Sequence, residues 1–210
     1  VKLITVSDWL KNAGTTESLK DVSELDGIKN IKGEETFSES GDNLTWDTNG
    51  ADIYYQGTTD QNLPVSVKLT YYLDGKEIKP ADLKGKSGHL KIQVDYTNKE
   101  KKTVSVDGKQ EEVYTPFVMM TGMILPNETF SNVTIDNGKV ISDGSKNIVV
   151  GFGMPGMKES LNLDESKTED LTIPESLCVE ADVTDFTMSS TFTVALTDLL
   201  DDIDFDNIVD

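Results

Sequence analysis

Alternation of apolar and polar side chains with a period of two runs through much of the chain. The stretch VSVKLTYYL, residues 65–73, has an apolar side chain at every odd position, and LKIQVDY, residues 90–96, repeats the pattern at every even one. A third run, FTMSSTFTVAL, places these apolar side chains on one face: Phe186, Met188, Phe192, Val194 and Leu196. Successive side chains of a β-strand point to opposite faces of its sheet. The three runs therefore predict half-buried strands of antiparallel sheets, with the apolar sets facing a core.

Turn signals separate these runs. Four dipeptides can adopt the positive φ angles of tight hairpin turns: Asp74-Gly75, Asp107-Gly108, Asn137-Gly138 and Asp143-Gly144. Together with the alternating runs, they predict an all-β fold, an antiparallel two-sheet sandwich with several hairpins. A length of 210 residues favours one elongated domain over residues 1–197, which could divide into two lobes at residues 1–60 and 61–197.

Helical signals are sparse. Short helical turns are predicted at residues 7–12, 18–25 and 80–84, the last because Pro80 suits a first helical turn and Gly85 suits a helix stop. The acidic tail changes the period, because four apolar residues fall at helical spacing: Leu196, Leu199, Leu200 and Ile203. We therefore predict that residues 198–210 form an acidic linker or the start of a C-terminal helical stalk.

One segment is apolar on both faces. Residues 117–125 read FVMMTGMIL, and this run is about half as long as a membrane-spanning helix requires. A strand with two apolar faces is covered on both sides, so we predict a central strand between packed layers, with a bulge or bend at Gly122. The alternative is an adaptable partner-binding groove lined by Met119, Met120 and Met123.

The composition narrows the function classes. The formal net charge is −19, and all 19 basic residues are lysines, so the chain lacks the guanidinium group that binds phosphates and base edges in a bidentate way. We therefore predict no nucleic-acid partner and no binding to an anionic membrane surface. The single cysteine, Cys178, has no partner for an intramolecular disulfide.

Motifs that would carry chemistry are incomplete. The string GFGMPG, with Gly151, Gly153 and Gly156, matches a dinucleotide-binding loop, but Pro155 interrupts it and no crossover helix is predicted after it. His89 is the only histidine, so neither a zinc site nor an imidazole-based hydrolase is predicted. We predict no catalytic residue, no metal, no cofactor and no enzymatic activity.

Two alternatives to a simple interaction domain stay open. The aromatic residues Trp9, Trp46, Tyr54 and Tyr55 could form a platform, with sugar binding through the last three, although core anchoring is commoner for such residues. The chain would then be a carbohydrate-binding module. The many carboxylates also leave open a glycan-acting hydrolase with a carboxylate pair, which the sequence does not locate.

Several strings carry a resemblance to a known family: YYQG from Tyr54, LKGKSG from Leu83, GMIL from Gly122 and ADVTDF from Ala181. Over residues 6–202 the chain resembles the N-terminal ectodomain of large exported proteins of gut Firmicutes, with a layout similar to that of phage-infection-protein-like membrane proteins of Gram-positive bacteria. In that family, helical segments with Leu-x-x-Gly heptad repeats and a membrane anchor follow the ectodomain. The resemblance transfers no catalytic residue. It implies an extracellular, cell-surface location for a membrane-anchored parent protein.

These observations together predict a non-enzymatic interaction or scaffolding domain at the cell surface. The expected partner is a protein or a cell-wall glycan. The candidate contacts are Trp46, Tyr54, Tyr55, Met119, Met120 and Met123. This part of the chain is expected not to span a membrane, because its longest apolar run is too short.

Overall fold

The structure, a computed structural model, describes residues 4–106, 108–161, 173–187 and 190–197. The chain divides into two compact units, Val1–Asn62 and Leu63–Asp210. Strands dominate the described part of both units, and every strand pairing there is antiparallel, so the predicted all-β sandwich class is confirmed. The predicted linker or stalk at residues 198–210 lies outside the described residues, as do Asp107 and Met188.

The first unit consists of two three-stranded sheets. Its strands are β1 (Ile4–Leu10), β2 (Ser18–Val22), β3 (Asp26–Asn30), β4 (Phe37–Ser40), β5 (Asn43–Asp47) and β6 (Ile53–Thr59). One sheet has the order β1-β6-β3 and the other β2-β5-β4. Alternate residues of β5 and β6 form the core of the unit: Leu44, Trp46, Ile53 and Tyr55 are buried, and Phe37 packs against them. The core therefore contains two of the three residues predicted to bind sugar.

Two of the predicted helical turns are strands instead. Residues 7–12 lie mostly in β1, and residues 18–25 begin with β2. Segments this short gain little from helical hydrogen bonds, whereas β1 pairs along its whole length with β6, and β2 pairs with β5. The third predicted turn is present as a 3-10 helix at Pro80–Asp82, followed by Gly85 with a φ of +73°.

The second unit contains eleven strands among its described residues. They are β7 (Val65–Leu73), β8 (Lys76–Ile78), β9 (Gly88–Asn98), β10 (Lys101–Val106), β11 (Lys109–Tyr114), β12 (Val118–Pro126), β13 (Phe130–Ile135), β14 (Gly138–Ser142), β15 (Lys146–Gly153), β16 (Ser176–Val183) and β17 (Thr191–Leu196). A short helix, α1 (Met157–Ser160), follows β15. The strands form a five-stranded sheet of order β13-β16-β9-β7-β8, a four-stranded sheet of order β14-β15-β12-β17, and the two-stranded ribbon β10-β11.

One hydrophobic core joins the five-stranded and four-stranded sheets. The predicted inward set of β9 is confirmed, since all four members are buried: Leu90, Ile92, Val94 and Tyr96. The four-stranded sheet contributes three buried side chains from β12: Met119, Met123 and Leu125. Each sheet thus turns one face to the shared core, as in a sandwich.

Two of the predicted hairpin turns are present, and one is a different connection. Asp74-Gly75 closes the β7–β8 hairpin with φ angles of +50° and +78°. Asp143-Gly144 closes the β14–β15 hairpin, where hydrogen bonds from the Ser145 hydroxyl and from the backbone N–H groups of Ser145 and Lys146 lower the pKa of Asp143 to about 2. Asn137-Gly138 does not close a hairpin. It connects β13 in the five-stranded sheet to β14 in the four-stranded sheet.

Candidate functional site

The four-stranded sheet has an apolar face that points away from the core. Because Met119, Met123 and Leu125 are buried, the alternate residues of β12 lie on the opposite side of the sheet. The pairing registers with β15, β17 and β14 extend this opposite side across the sheet. We call it the outer face, and its apolar members are Val118, Met120, Ile124, Ile141, Ile148, Val150, Phe152, Phe192, Val194 and Leu196.

Exposure of large apolar side chains is concentrated on the outer face. Nine large apolar side chains are exposed among the described residues, and five of them belong to this face. Their exposed fractions run from 38% to 54%: Ile124, Ile141, Phe152, Phe192 and Val194. Isolated exposed apolar residues are normal on a soluble protein, but a contiguous group on one sheet is typical of a contact surface.

The polarity of β17 is the reverse of the predicted one. The alternation predicts that Phe192, Val194 and Leu196 face the core, yet they lie on the outer face, and the predicted companion Phe186 is buried outside the strand. Thr193 points inward instead.

A hydroxyl network explains the inward threonine. Oγ1 of Thr193 lies 2.8 Å from Oγ1 of Thr121. The Thr121 oxygen in turn accepts a hydrogen bond of 2.7 Å from the Tyr96 hydroxyl. Because these inward hydroxyl groups have partners, the core tolerates threonines where the pattern predicts apolar side chains.

Gly122 makes room for an aromatic ring rather than for a bulge. The register of β12 against β15 runs without a shift from Met119 to Pro126, so the predicted bulge is absent. A Cβ atom at Gly122 would collide with the ring of Phe192, which is opposite Gly122 in the β12–β17 pairing. The glycine therefore leaves room for the end of the Phe192 ring, which occupies the space that a side chain at position 122 would fill.

The three predicted methionine contacts do not form a groove. Met119 and Met123 are 2% and 1% exposed, so they cannot contact a partner, and this prediction is wrong for them. Met120 is half-buried on the outer face. The prediction that both faces of this strand are covered is also wrong, because Ile124 on the same face is exposed. Sequence alone shows that two faces are apolar but not whether a second layer covers both.

The outer face also differs in charge from the rest of the molecule. None of the strands β12, β14, β15 and β17 contains an Asp or Glu, and their only charged residues are Lys139 and Lys146. The whole chain nevertheless has a formal net charge of −19. Strands without acidic residues in such an acidic chain are a signal that can be read from the sequence, and the predictions above did not use it. This signal and the exposed apolar side chains both point to the outer face.

The predicted aromatic platform is not assembled. Trp46 and Tyr55 are 0% and 2% exposed in the core of the first unit, so neither can stack on a sugar. Burial and a hydrogen bond to Asp21 raise the pKa of the Tyr55 hydroxyl well above its usual value. The alternation in β6 separates Tyr54 from Tyr55, and Tyr54 lies opposite Trp9 in the β1–β6 pairing.

The exposed Trp9 and the half-buried Tyr54 form an aromatic pair instead. Their ring centroids are 5.3 Å apart and their planes differ by 12°. The Nζ of Lys11 lies 4.4 Å from the Trp9 ring centroid, and the Nζ of Lys32 lies 3.9 Å from the Tyr54 ring centroid. Each ring therefore has a cation–π partner already, and a sugar that stacked on the lysine side would have to displace an ammonium group.

The polar face of the five-stranded sheet contains the only histidine. Nδ1 of His89 lies 3.0 Å from Oδ1 of Asp182, and its Nε2 lies 3.7 Å from Oε2 of Glu180. His89 and Glu180, together with Tyr72, Gly75 and Lys91, line a surface depression of about 390 Å³. No group of three His, Cys, Asp or Glu side chains among the described residues could hold a metal ion. The arrangement is that of an exposed ion pair.

We expect the His89 ring to titrate above its ordinary pKa. The hydrogen bond to Asp182 raises this pKa above 6.5, desolvation opposes the rise, and the charges of Asp182, Glu180 and Asp74 add to it. The resulting stabilisation is present below pH 6.5 and is lost as the pH rises through the raised pKa. NMR titration of the ring should show the raised pKa, and Asp182→Asn should lower it. Asp95→Asn, a matched change on β9, should not, and a ring pKa at or below 6.5 in the wild type would contradict the expectation.

The other motifs with chemical meaning have structural roles. Gly151 and Gly153 lie in the antiparallel strand β15, where a Cβ would collide with Leu177 or Tyr96, so both allow close packing of the two sheets. The helix that follows has four residues, so the fold around this string differs from a dinucleotide-binding unit. Burial raises the pKa of the half-buried Cys178 thiol, which disfavours a reactive thiolate.

Comparisons with known proteins identify no relative. No protein-family model matches the chain, and no curated protein matches it. Among solved structures, the chain is similar to the Mu homology domain of Fcho1 from Danio rerio with a bound Eps15 peptide, at 5% identity and a TM-score of 0.37 over 93% of this chain and 71% of that one. A likeness at this level carries no argument about fold or function. None of the helices in the described part of the chain has the length and apolar character needed to cross a membrane.

Proposed function

We propose that this chain is a non-enzymatic interaction domain whose contact surface is the outer face of the four-stranded sheet. The observation that carries the proposal is the group of exposed apolar side chains on a sheet without acidic residues, above all Phe152, Phe192 and Val194. These side chains are 43% to 54% exposed, so burying the rest of each against a partner would contribute about half of the 1.5 to 3 kcal/mol of a full burial, before the entropy of association is subtracted. The partner that fits is a protein with an apolar surface of its own.

The setting that we propose for this domain is the cell surface. The resemblance to exported ectodomains of gut Firmicutes supports it, as does the absence of arginine, which disfavours a nucleic-acid partner. In this proposal a membrane-anchored parent protein presents the outer face to a protein outside the cell. The carbohydrate-binding alternative loses support, because Trp46 and Tyr55 are buried and lysine ammonium groups lie over the rings of Trp9 and Tyr54.

Cross-linking on intact cells tests both parts of the proposal. The full-length parent protein would be treated with a membrane-impermeant cross-linker in three forms: wild type, Phe152→Lys with Phe192→Lys, and the control Thr97→Lys. Thr97 is exposed on β9 of the opposite sheet, so its substitution introduces the same charge away from the outer face. Circular dichroism of the purified chain would confirm that each variant folds.

We expect one protein partner to be cross-linked to the wild type and to the control, and to be at least about tenfold reduced in the double variant, because two desolvated ammonium groups oppose burial. Equal recovery with all three forms would overturn the assignment of the outer face. A failure of the impermeant reagent to label any form would overturn the cell-surface location. Binding of the purified domain to a glycan array, lost on Trp9→Ala, would favour the carbohydrate alternative.

A further inference from the structure

We propose that the partner strand of this site is β17 of a second copy of the chain, joined edge to edge in a two-fold symmetric dimer. This inference rests on the proposed function, because it names the occupant of one margin of the same surface. The starting observation is that β17 pairs with β12 on one side and, within the described part of the chain, with no strand on its other side. We call that other side the free edge.

The hydrogen-bonding groups of the free edge can be assigned from the ladder. The backbone N–H of Ile124 donates to the carbonyl of Ser190, and these two residues are opposite each other when the β12–β17 register is continued by one position. Residues of an antiparallel strand direct their N–H and C=O alternately to one neighbour and to the other. Phe192 and Val194 therefore bond toward β12, and the N–H and C=O groups of Thr191, Thr193 and Ala195 point to the free edge.

The free edge of β17 lacks the features that keep edge strands from pairing. Its sequence, TFTVAL, has no charge, no proline and no glycine, and its pairing is regular. The other edge strands that the structure describes are each interrupted by at least one such feature. Charged residues occur in β1, β2, β3, β4, β8, β10, β11 and β14, and a register shift occurs in β13. An unprotected strand of this composition is a template for a further strand.

A second copy satisfies this edge in a defined register. A two-fold axis perpendicular to the sheet and midway between the two copies of Thr193 keeps the outer faces of both copies on the same side, and it pairs Thr191 with Ala195 of the other copy. All the free-edge groups assigned above then form hydrogen bonds. On the outer face, Phe192 lies opposite Val194 of the second copy, an aromatic and β-branched pair of the kind that stabilises antiparallel strands.

Charge also favours a second copy at this edge. Two molecules with a net charge of −19 repel each other, so they can associate only where the contact brings no carboxylates together. The strand β17 has no charged residue, and its neighbour β12 has none either. Because salt screens the remaining long-range repulsion, we expect the dimer to become tighter as salt is added. A contact made by salt bridges to an unlike partner would weaken instead.

The interface is small, and this sets the strength of the dimer. Each copy contributes a strand of six residues, and an interface of this size buries an area at the low end of the range for specific interfaces. We therefore expect a reversible dimer and not an obligate one. The two-fold pairing uses β17 of both copies and leaves no second β17 edge exposed. The assembly therefore closes at two copies and does not extend into a fibre.

Sedimentation velocity of the full chain from micromolar to millimolar concentration, at low and high salt, tests the dimer. Ala195→Pro removes one free-edge N–H and leaves the bonds to β12 in place, since Pro is tolerated on edge strands. Thr97→Lys on β9 is the control. We expect a concentration-dependent dimer for the wild type and the control, and at least about tenfold weaker association for Ala195→Pro, because the hydrogen bond that the Ala195 N–H of each copy donates to Thr191 of the other is lost. A monomer at every concentration would overturn the proposal.

Amide exchange of the full chain separates edge pairing from stacking of two outer faces. In the edge-paired dimer, the N–H groups of Thr191, Thr193 and Ala195 should gain protection with concentration, whereas those of Phe192 and Val194 are already bonded to β12. Stacking of outer faces would be weakened by Phe192→Lys but not by Ala195→Pro, and that result would overturn edge pairing. If the chain stays monomeric while the outer-face variant still loses its cell-surface partner, the second copy is wrong and the proposed function stands.

Discussion

Replacement of Trp46 with Ala should lower the free energy of unfolding of the first unit by about 3 to 5 kcal/mol. The side chain is 0% exposed and is packed between two other rings, with centroid distances of 4.5 Å to Phe37 and 5.5 Å to Tyr55. Deleting the indole removes these contacts and leaves a cavity in a core that has four fully buried apolar members among the described residues. A unit of about sixty residues has little stability in reserve, so we expect it to be largely unfolded.

The measurement must report on the first unit by itself. Hydrogen exchange resolved to the peptides of residues 4–62 in the full chain gives that information, and urea unfolding followed by circular dichroism gives the total. Trp9→Ala is the matched control, because Trp9 is 44% exposed, and we expect it to change stability by less than about 1 kcal/mol. Similar losses for the two tryptophans would contradict the assignment of Trp46 to the core.

Trp46→Phe refines this prediction. Nε1 of Trp46 is a buried donor without a hydrogen-bond partner within the described residues. A phenylalanine keeps an aromatic ring against Phe37 and removes the unsatisfied N–H, whose desolvation costs about 1 to 3 kcal/mol. We therefore expect Trp46→Phe to be far less destabilising than Trp46→Ala. A loss as large as that of alanine would indicate that the indole N–H has a partner.

The contrast between β9 and β17 shows how far alternation predicts a fold. Alternation identifies which residues share a face, and this was correct for β9 and, within β17, for Phe192, Val194 and Leu196, but not for Phe186, which lies outside the strand. In β9 the apolar set is inward, because Leu90 and Val94 meet apolar partners across the sandwich. In β17 the apolar set faces outward. The inward Thr193 is within hydrogen-bond distance of the Thr121 hydroxyl, and on the outer face Gly122 leaves room for the Phe192 ring. Those partners are distant in sequence, and the pattern of one strand contains no information about them.

The aromatic residues of the predicted sugar site also show that a local pattern does not tell which side chain is buried. The dipeptide Tyr54-Tyr55 in a strand must place its two rings on opposite faces, and that much follows from the sequence. Which ring is buried depends on the pairing of β6 with β1 and on the core beneath it, where Tyr55 meets Trp46. The sequence therefore supplied the right residue types for an aromatic pair, and only the structure replaced Trp46 with Trp9 as the partner of Tyr54.

Asn12→Ala should destabilise the first unit by about 3 kcal/mol, although Asn12 is polar and lies just beyond the end of β1. The residue is 2% exposed. Its Nδ2 group donates to the carbonyls of Thr16 and Ala51 and to Oγ1 of the buried Thr48, at 2.7 to 3.2 Å. Its Oδ1 accepts hydrogen bonds from the backbone N–H and the hydroxyl of Thr16, both at 2.9 Å, and from the hydroxyl of Thr15.

The size of this effect follows from the groups that the substitution leaves behind. An alanine at position 12 cannot replace the amide group, so the Thr16 N–H, the Ala51 carbonyl and the hydroxyl of the buried Thr48 lose a hydrogen-bond partner. Asn12→Asp restores the acceptor but not the donors, and it brings a carboxylate next to Asp52, which already accepts the backbone N–H groups of Asn12 and Ala13. We therefore expect no rescue by aspartate.

Urea unfolding and peptide-resolved hydrogen exchange of residues 4–62 measure both Asn12 variants, with Asn43→Ala as the control. Asn43 is exposed and makes one long side-chain hydrogen bond of 3.4 Å, so its loss should change stability by less than about 0.5 kcal/mol. Equal effects of the two alanine substitutions would show that the Asn12 network is replaced by water. A large effect confined to Asn12 would establish that one buried amide holds together the loops at residues 12–16 and 48–52, which the hydrophobic core alone does not reach.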